Sequence, residues 1–381
     1  MKKIVAVICE YNPFHLGHLR QLEAIRQQNP DCAVLSLMSG NFVQRGECAI
    51  LPKYLRAEAA VRSGADLVLE LPYPWCCGSA EYFASGAVSL LAALGVDALC
   101  FGSESGDAAS LTETARRLES NLFRAALAAA RLRQNTAESD LLLRRRIYRE
   151  QYGEELPIGA NDTLGLEYLL AMHRTGWNAE TMVLHRTGPE SATASREAYR
   201  RGDWERLYTM TAEPALSLYR GHAPTPLYAT GNELLALLRL CDPDVLAHAD
   251  GCGGGVSARL IRCAMEASDP ADFYARCATK RFTNARLRRA ALHGALQTTT
   301  EMLRETPLYT LLLAANRTGC DALKRLRKAA VTILTRPAHG RELSASAAVQ
   351  LTRSRRADSL AMCAFGLSPA DELRRSPFLL L

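Results

Sequence analysis

At 381 residues the chain has length for about two domains, each with its own core. Hydrophobic residues make up 48% and charged residues 23%, an ordinary soluble balance, and no apolar run approaches the ~18 residues that a membrane-spanning helix requires. The 12 cysteines include an adjacent pair, Cys76 and Cys77, but no C-x-x-C, which excludes a zinc ribbon and suggests reduced, mostly buried thiols in a cytoplasmic protein.

The predicted elements alternate from the start. "KIVAVIC" reads as a strand rather than a leader, because Glu10 and Asn12 end its apolar stretch and no small-residue cleavage site follows. "GHLRQLEAIRQQ" predicts a helix, "CAVLSLM" a strand, "KYLRAEAAVRSG" a helix stopped by Gly64, and "ADLVLEL" a strand. A helix through "SAEYFASGAVSLLAALG" precedes a fourth strand, "VDALCFG". A helical insertion over about 107–150 is expected next, then a helix at "NDTLGLEYLLAMHRTG" and a strand at "AETMVLHR". Near-continuous apolar strands between amphipathic helices indicate an α/β, doubly wound parallel sheet covered on both faces.

From about residue 206 the pattern predicts a second, mostly helical domain running to residue 381, with little strand signal and a glycine joint, "GCGGG", at 251–255. This half is also basic. Arg259 to Arg289 holds eight basic and three acidic residues, and "KRLRK" (324–328) and "RSRR" (353–356) add two more clusters. That density suits a polyanionic partner, although a basic helix face is also commonly just solvated.

Chemistry is expected where the first strand meets the first helix, in "EYNPFHLGHLRQL" (10–22). Ligands of open parallel sheets bind at the carboxyl ends of strands, and a helix N-terminus there favours an anion. Gly17 removes a side chain, and His15 and His18 lie one helical turn apart. Imidazoles so placed can donate to phosphoryl oxygens as negative charge builds. Capping and packing are the plain alternatives, and zinc would need further ligands that the sequence does not offer.

This H-x-G-H segment resembles the nucleotidyltransferase superfamily, with its Rossmann-like fold. Together with "MSGNFVQRGE" (38–47), "SGADLVLELPY" (63–73), "FGSESGD" (101–107) and "TKRFTNARLRR" (279–289), it resembles the bacterial tRNA(Met) cytidine acetate ligase family over most of the chain. The resemblance implies activation of acetate by ATP to acetyl-adenylate, then transfer of acetyl to N4 of the wobble cytidine of elongator tRNA(Met). It implies His15 and His18 as catalytic residues. An ATP site is implied over Ile8, Cys9, Glu10, Tyr11, Asn12, Pro13, Phe14, His15, Leu16, Gly17, His18, Leu19, Arg20 and Gln21. Gly102, Asn161 in "GANDTLG", and Arg186 and Thr187 in "LHRTG" match further ATP-contacting positions; Ala160 stands where the family has proline.

"SATASRE" (191–197) resembles a second phosphate motif, with Ser195 in place of isoleucine, so Ser195 and Arg196 are candidate phosphate contacts or, equally, a helix start. Arg45 is a candidate for acetate or phosphate. Lys280, Arg281, Arg286, Arg288 and Arg289 are expected to bind tRNA, with Phe282 available to stack on a base or to join the core. Magnesium is expected with the ATP, because no carboxylate cage stands out. Two other functions stay open: adenylylation of a small metabolite, and RNA binding with a vestigial nucleotide pocket. No nucleophile motif such as G-x-S-x-G is present, so positioning and charge stabilisation would carry the chemistry.

Overall fold

Alternation along the first strand decides the layering. In β1 (Ile4–Cys9), Ile4 and Ala6 enter one apolar layer, and Val5 and Val7 the other. A computed structural model describes residues 2–133, 140–157, 159–188, 191–279 and 281–381.

β1 leads through α1 (Leu16–Gln28) to β2 (Ala33–Ser39). A hairpin, β3 (Phe42–Val43) and β4 (Glu47–Cys48), precedes α2 (Lys53–Arg62) and β5 (Leu67–Leu71). Next come α3 (Ala80–Ala93) and β6 (Ala98–Ser103). Three helices, α4 (Ala108–Leu118), α5 (Asn121–Arg133) and α6 (Asp140–Tyr152), occupy the expected insertion before α7 (Ala160–Thr175) and β7 (Glu180–His185). Leu22 and Ile25 of α1 and Val61 of α2 cover one face of the sheet; Phe83 of α3 and Leu166 of α7 cover the other.

The sheet order is β10 (Phe378–Leu380), β8 (Tyr309–Asn316), β5, β2, β1, β6, β7. The chain moves outward from β1 to β2 and β5, then returns to the far side of β1 with β6 and β7, all five parallel. The reversal opens a crevice between the carboxyl ends of β1 and β6. Both ends carry predicted site residues.

The second half continues with α8 (Ala192–Arg201), α9 (Trp204–Met210) and α10 (Glu213–Arg220). A helical cluster follows, α11 (Gly231–Leu240), α12 (Pro243–His248), α13 (Val256–Glu266), α14 (Pro270–Cys277) and α15 (Asn284–Leu296), with its own core of Leu238, Leu246, Leu260, Phe273 and Leu287. After α16 (Thr300–Arg304) the expectation of few strands is corrected. β8 (Tyr309–Asn316) pairs antiparallel with β5, and β9 (Thr332–Leu334) and β10 (Phe378–Leu380) both pair with β8. α17 (Arg317–Leu326), α18 (Ala345–Phe365) and α19 (Pro369–Arg374) complete this return. The physical reason is that "YTLLLAAN" lacks a polar face, so propensity does not distinguish buried helix from buried strand; the fully buried β5 edge supplies the pairing that does. The central sheet is therefore mixed, and it draws on both halves of the chain.

This return is locked by charge. Lys53, buried at the start of α2, lies 2.9 Å from Glu70, 2.8 Å from Asp358 and 2.9 Å from Glu372. One ammonium cannot balance three carboxylates, and burial pushes the Glu70 carboxyl from its usual 4.5 up to about 7, against the opposing pull of Lys53. Burial raises Glu372 as well. The folded chain thus holds protons that the unfolded chain releases, so this contribution to stability is present below pH 4.5 and lost as pH rises to about 7. Thermal melts of Glu70→Gln across that window are expected to fall less with rising pH than those of the wild type; parallel curves would remove Glu70 from the account.

Candidate active site

The opening of α1 is a reciprocal cap. His15, the N-cap residue, accepts the N–H of Gly17 at Nδ1 (3.1 Å), and His18 accepts the N–H of His15 at its own Nδ1 (3.2 Å). These bonds set the tautomer: in the neutral rings the proton sits on Nε2, on the side away from the turn. The rings stack with centroids 3.8 Å apart and planes 24° apart. Tyr11 and Phe14, both buried, contact His18 at 4.9 and 5.5 Å between centroids and hold its orientation. Burial, followed by the charges of His15 and Arg186, holds His18 well below its ordinary 6.5, so the ring is neutral near pH 7. A neutral N–H donor is what a developing phosphoryl charge can use without prior titration.

Gly17 has a local use in the cap. A Cβ there would lie 2.9 Å from Cε1 of His15 and displace the ring. Gly102, at the end of β6, likewise makes room for a side chain: an added Cβ would meet Cγ of Arg186 at 3.2 Å. The Arg186 N–H donates to the carbonyl of Ser103 (2.9 Å), which carries its exposed side chain across the end of β6, where its charge acts on His18; Thr187, next in the chain, is exposed.

The rest of the first loop divides between scaffold and rim. Ile8 and Cys9 end β1, with the Cys9 thiol donating to the Leu37 carbonyl at 3.7 Å. Tyr11, at φ +44°, shares a hydrogen bond with Ser36 (2.9 Å). Asn12 accepts from the Ile50 N–H (2.7 Å), and Pro13 is buried beside it. Phe14 exchanges backbone bonds with the Tyr219 hydroxyl at 2.9 and 3.2 Å. Leu16 and Leu19 are half-buried, Gln21 donates to the Cys100 sulfur at 3.8 Å, and Arg20 lies exposed on α1.

Arg196 joins this loop directly, donating to the Asn12 carbonyl at 2.8 Å. Ser195 does not. Its hydroxyl is fully buried, donating to the Ser191 carbonyl (3.1 Å) and facing the Met210 sulfur, so as a candidate phosphate contact it is corrected to packing between α8 and α9. The helical period is the reason, since adjacent residues on α8 project to different sides.

Asn161 opens α7 and donates to Glu104 at 2.6 Å, and Glu104 also accepts the Asn161 and Asp162 N–H groups at 3.1 and 2.7 Å. Burial would raise the Glu104 carboxyl, but these bonds outweigh it and hold it below its usual range. Asp162 reciprocates, accepting from the Ser103 hydroxyl and from the Glu104 N–H (2.9 Å). This clasp between β6 and α7 was not foreseen, although both residues lie inside motifs quoted above. Also unforeseen is Arg56. It is fully buried and donates to the carbonyls of Glu10, Ser39, Gly40 and Leu51, drawing the ends of β1 and β2 together. Nothing in its helical surroundings marks it.

The β3–β4 hairpin connects this crevice to the basic helix. The Gln44 N–H donates to Glu10 (2.9 Å) and its carbonyl accepts from Arg289 (3.3 Å), while Arg288 pairs with Glu47. Arg45, at the exposed tip, has no ion-pair partner among the described residues, and its charge acts on both Arg196 and Arg288. Arg281 and Arg286 lie over the Phe282 ring at 5.1 and 4.7 Å, and Phe282 is half-buried against the α11–α15 core. Lys280 lies outside the described residues.

A family model described as HIGH Nucleotidyl Transferase matches residues 1–367. A tRNA(Met) cytidine acetate ligase of Syntrophotalea carbinolica is 34% identical over 371 residues, covering 88% of this chain and 85% of that protein. One from Kosmotoga olearia is 31% identical over 367 residues, with 88% and 85% covered. The crystal structure of Thermotoga maritima TmcAL bound with alpha-thio ATP superposes with a TM-score of 0.91 at 30% identity, covering 99% of each chain. The chain belongs to the tRNA(Met) cytidine acetate ligase family of HIGH nucleotidyl transferases.

Proposed function

We propose that the protein is an ATP-dependent ligase that acetylates N4 of the wobble cytidine of elongator tRNA(Met), in the cytoplasm. The observation that carries this reading is the pair of histidines at the crevice, each with Nδ1 accepting within the cap, which places the proton of the neutral ring on Nε2. In the first step an acetate oxygen attacks the α-phosphorus of ATP; the new O–P bond forms as the bond to the β-phosphate oxygen breaks and pyrophosphate leaves. His15 and His18 donate to the phosphoryl oxygens, and Arg186 and Arg196 complement their charge. In the second step the cytidine N4 amine attacks the acetyl carbonyl, the C–O bond to AMP breaks, and N4 gives up a proton. Adenylation is needed because oxide is too poor a leaving group, and no enzyme nucleophile is then required. Magnesium enters as the counterion of the triphosphate; among the described residues no group of three His, Cys, Asp or Glu side chains is placed to hold a metal.

A hairpin that ties the nucleotide loop to a cationic helix favours an RNA acceptor over a small metabolite. Incubation with ATP, labelled acetate and unmodified tRNA(Met) is expected to leave acid-stable label on the wobble cytidine, and absence of label from RNA would remove the reading. Arg286→Ala is expected to weaken tRNA binding and to reduce the slope of log K against log salt by about 1. An unchanged slope would take Arg286 off the phosphate path.

A further inference from the structure

Arg288 does more than pair with Glu47. Its guanidinium carbon lies 5.5 Å from the Tyr228 ring centroid and 5.7 Å from that of Tyr274, and the two tyrosines stack with centroids 5.0 Å apart and planes 23° apart. The rings come from the loop before α11 and from α14, so the fold has brought three separate segments to one point.

Three observations set this cluster apart from ordinary packing. Tyr228 adopts φ +60°, a left-handed conformation that a bulky side chain rarely takes. Such strain persists only where the surroundings impose it, and it concentrates at binding sites. Neither tyrosine hydroxyl has a hydrogen-bond partner among the described residues, and both rings are only half-buried. Within Arg288, Nε is buried with no partner, an unsatisfied donor that the fold tolerates. The location adds to this: Arg288 adjoins Arg289, which is one hydrogen bond from Gln44 and so two from Glu10 of the nucleotide loop.

We propose that Tyr228, Tyr274 and Arg288 form a stacking platform for an unpaired base of the tRNA anticodon loop, holding the loop beside the acetyl-adenylate. An aromatic face with an adjoining guanidinium is what single-stranded bases stack on, and every base presents a face to it. Loop phosphates then lie along Arg281 and Arg286, and Arg45, whose charge acts on Arg288, adds to the same positive field. The platform rests on the function proposed above. It separates binding into a stacking part that is insensitive to salt and a phosphate part that is not.

The test is equilibrium binding of an unmodified tRNA(Met) transcript to the full-length protein. Tyr228→Asn removes the ring with a residue that tolerates the left-handed conformation, which protects the fold. It is expected to raise Kd about 10-fold, with the slope of log K against log salt unchanged, and Tyr228→Phe is expected to restore wild-type affinity. Unaltered affinity in Tyr228→Asn would overturn the platform, as would a changed salt slope or a failure of Tyr228→Phe to recover. Acetate-dependent exchange of pyrophosphate into ATP, measured on the wild type without RNA, tests the parent function separately; its absence would defeat that reading and leave the binding result to decide the platform.

Discussion

Replacing His18 by alanine is expected to lower acetate-dependent ATP–pyrophosphate exchange by about 10²–10³-fold, the cost of losing one donor aimed at developing charge, while the affinity for tRNA(Met) stays at the wild-type value. The substitution also removes half of the helix cap, because His18 accepts the His15 N–H, and a lost cap costs about 1 kcal/mol. Catalytic and structural effects must therefore be separated. Glutamine at the third helical position can make the same bond back to the N-cap. His18→Gln is expected to recover the melting temperature but not the exchange rate. Recovery of both would show the imidazole to be a cap alone. Because burial and the charges of His15 and Arg186 hold His18 well below its ordinary 6.5, kcat/KM for ATP is also expected to show no limb from His18 above that pH.

The second large effect is structural. Lys53→Met would leave Glu70, Asp358 and Glu372 together in the interior without their cation. Breaking a buried pair from one side costs about 3–5 kcal/mol, because the remaining charge is uncompensated. The expected result is a marked fall in the denaturant midpoint and loosening of α18 and α19, which carry Asp358 and Glu372. Adding Glu70→Gln and Glu372→Gln to Lys53→Met should recover much of the loss, since neutral amides tolerate burial better than carboxylates do. A Lys53→Met variant as stable as the wild type would show that the cluster contributes nothing. The same lysine donates its backbone N–H to Asn41 (2.9 Å), so the lock also reaches the loop that follows β2.

Reading the sequence went furthest where a local period met a local signal. The runs "KIVAVIC" and "CAVLSLM" are short, apolar and separated by an amphipathic helical run, which reads as buried strands, and "GHLRQLEAIRQQ" has its cap, His15, two residues before it. His15 and His18 were legible because the cap bonds they make run to each other and to Gly17, within one turn. Arg56 was not legible, because its four carbonyl partners are spread over three segments and no side-chain signature accompanies a bond to a carbonyl. Of the two readings open for Ser195 and Arg196, the chain could not choose: the residues are adjacent in sequence, and helical geometry sends Ser195 into packing and Arg196 to the Asn12 carbonyl.

The sequence by itself determined the layered α/β unit, with its alternation of strands and helices, and a pair of imidazoles at a helix start, because each follows from spacing within about a dozen residues; the order of the strands came from the tertiary structure. Only the tertiary structure decided that Tyr309–Asn316 is a strand, that Lys53 is shared by three carboxylates, and that the hairpin around Arg45 spans from nucleotide loop to basic helix. These depend on partners hundreds of residues away, whose pairing energy is absent from any window of the chain and exists only once the sheet has formed.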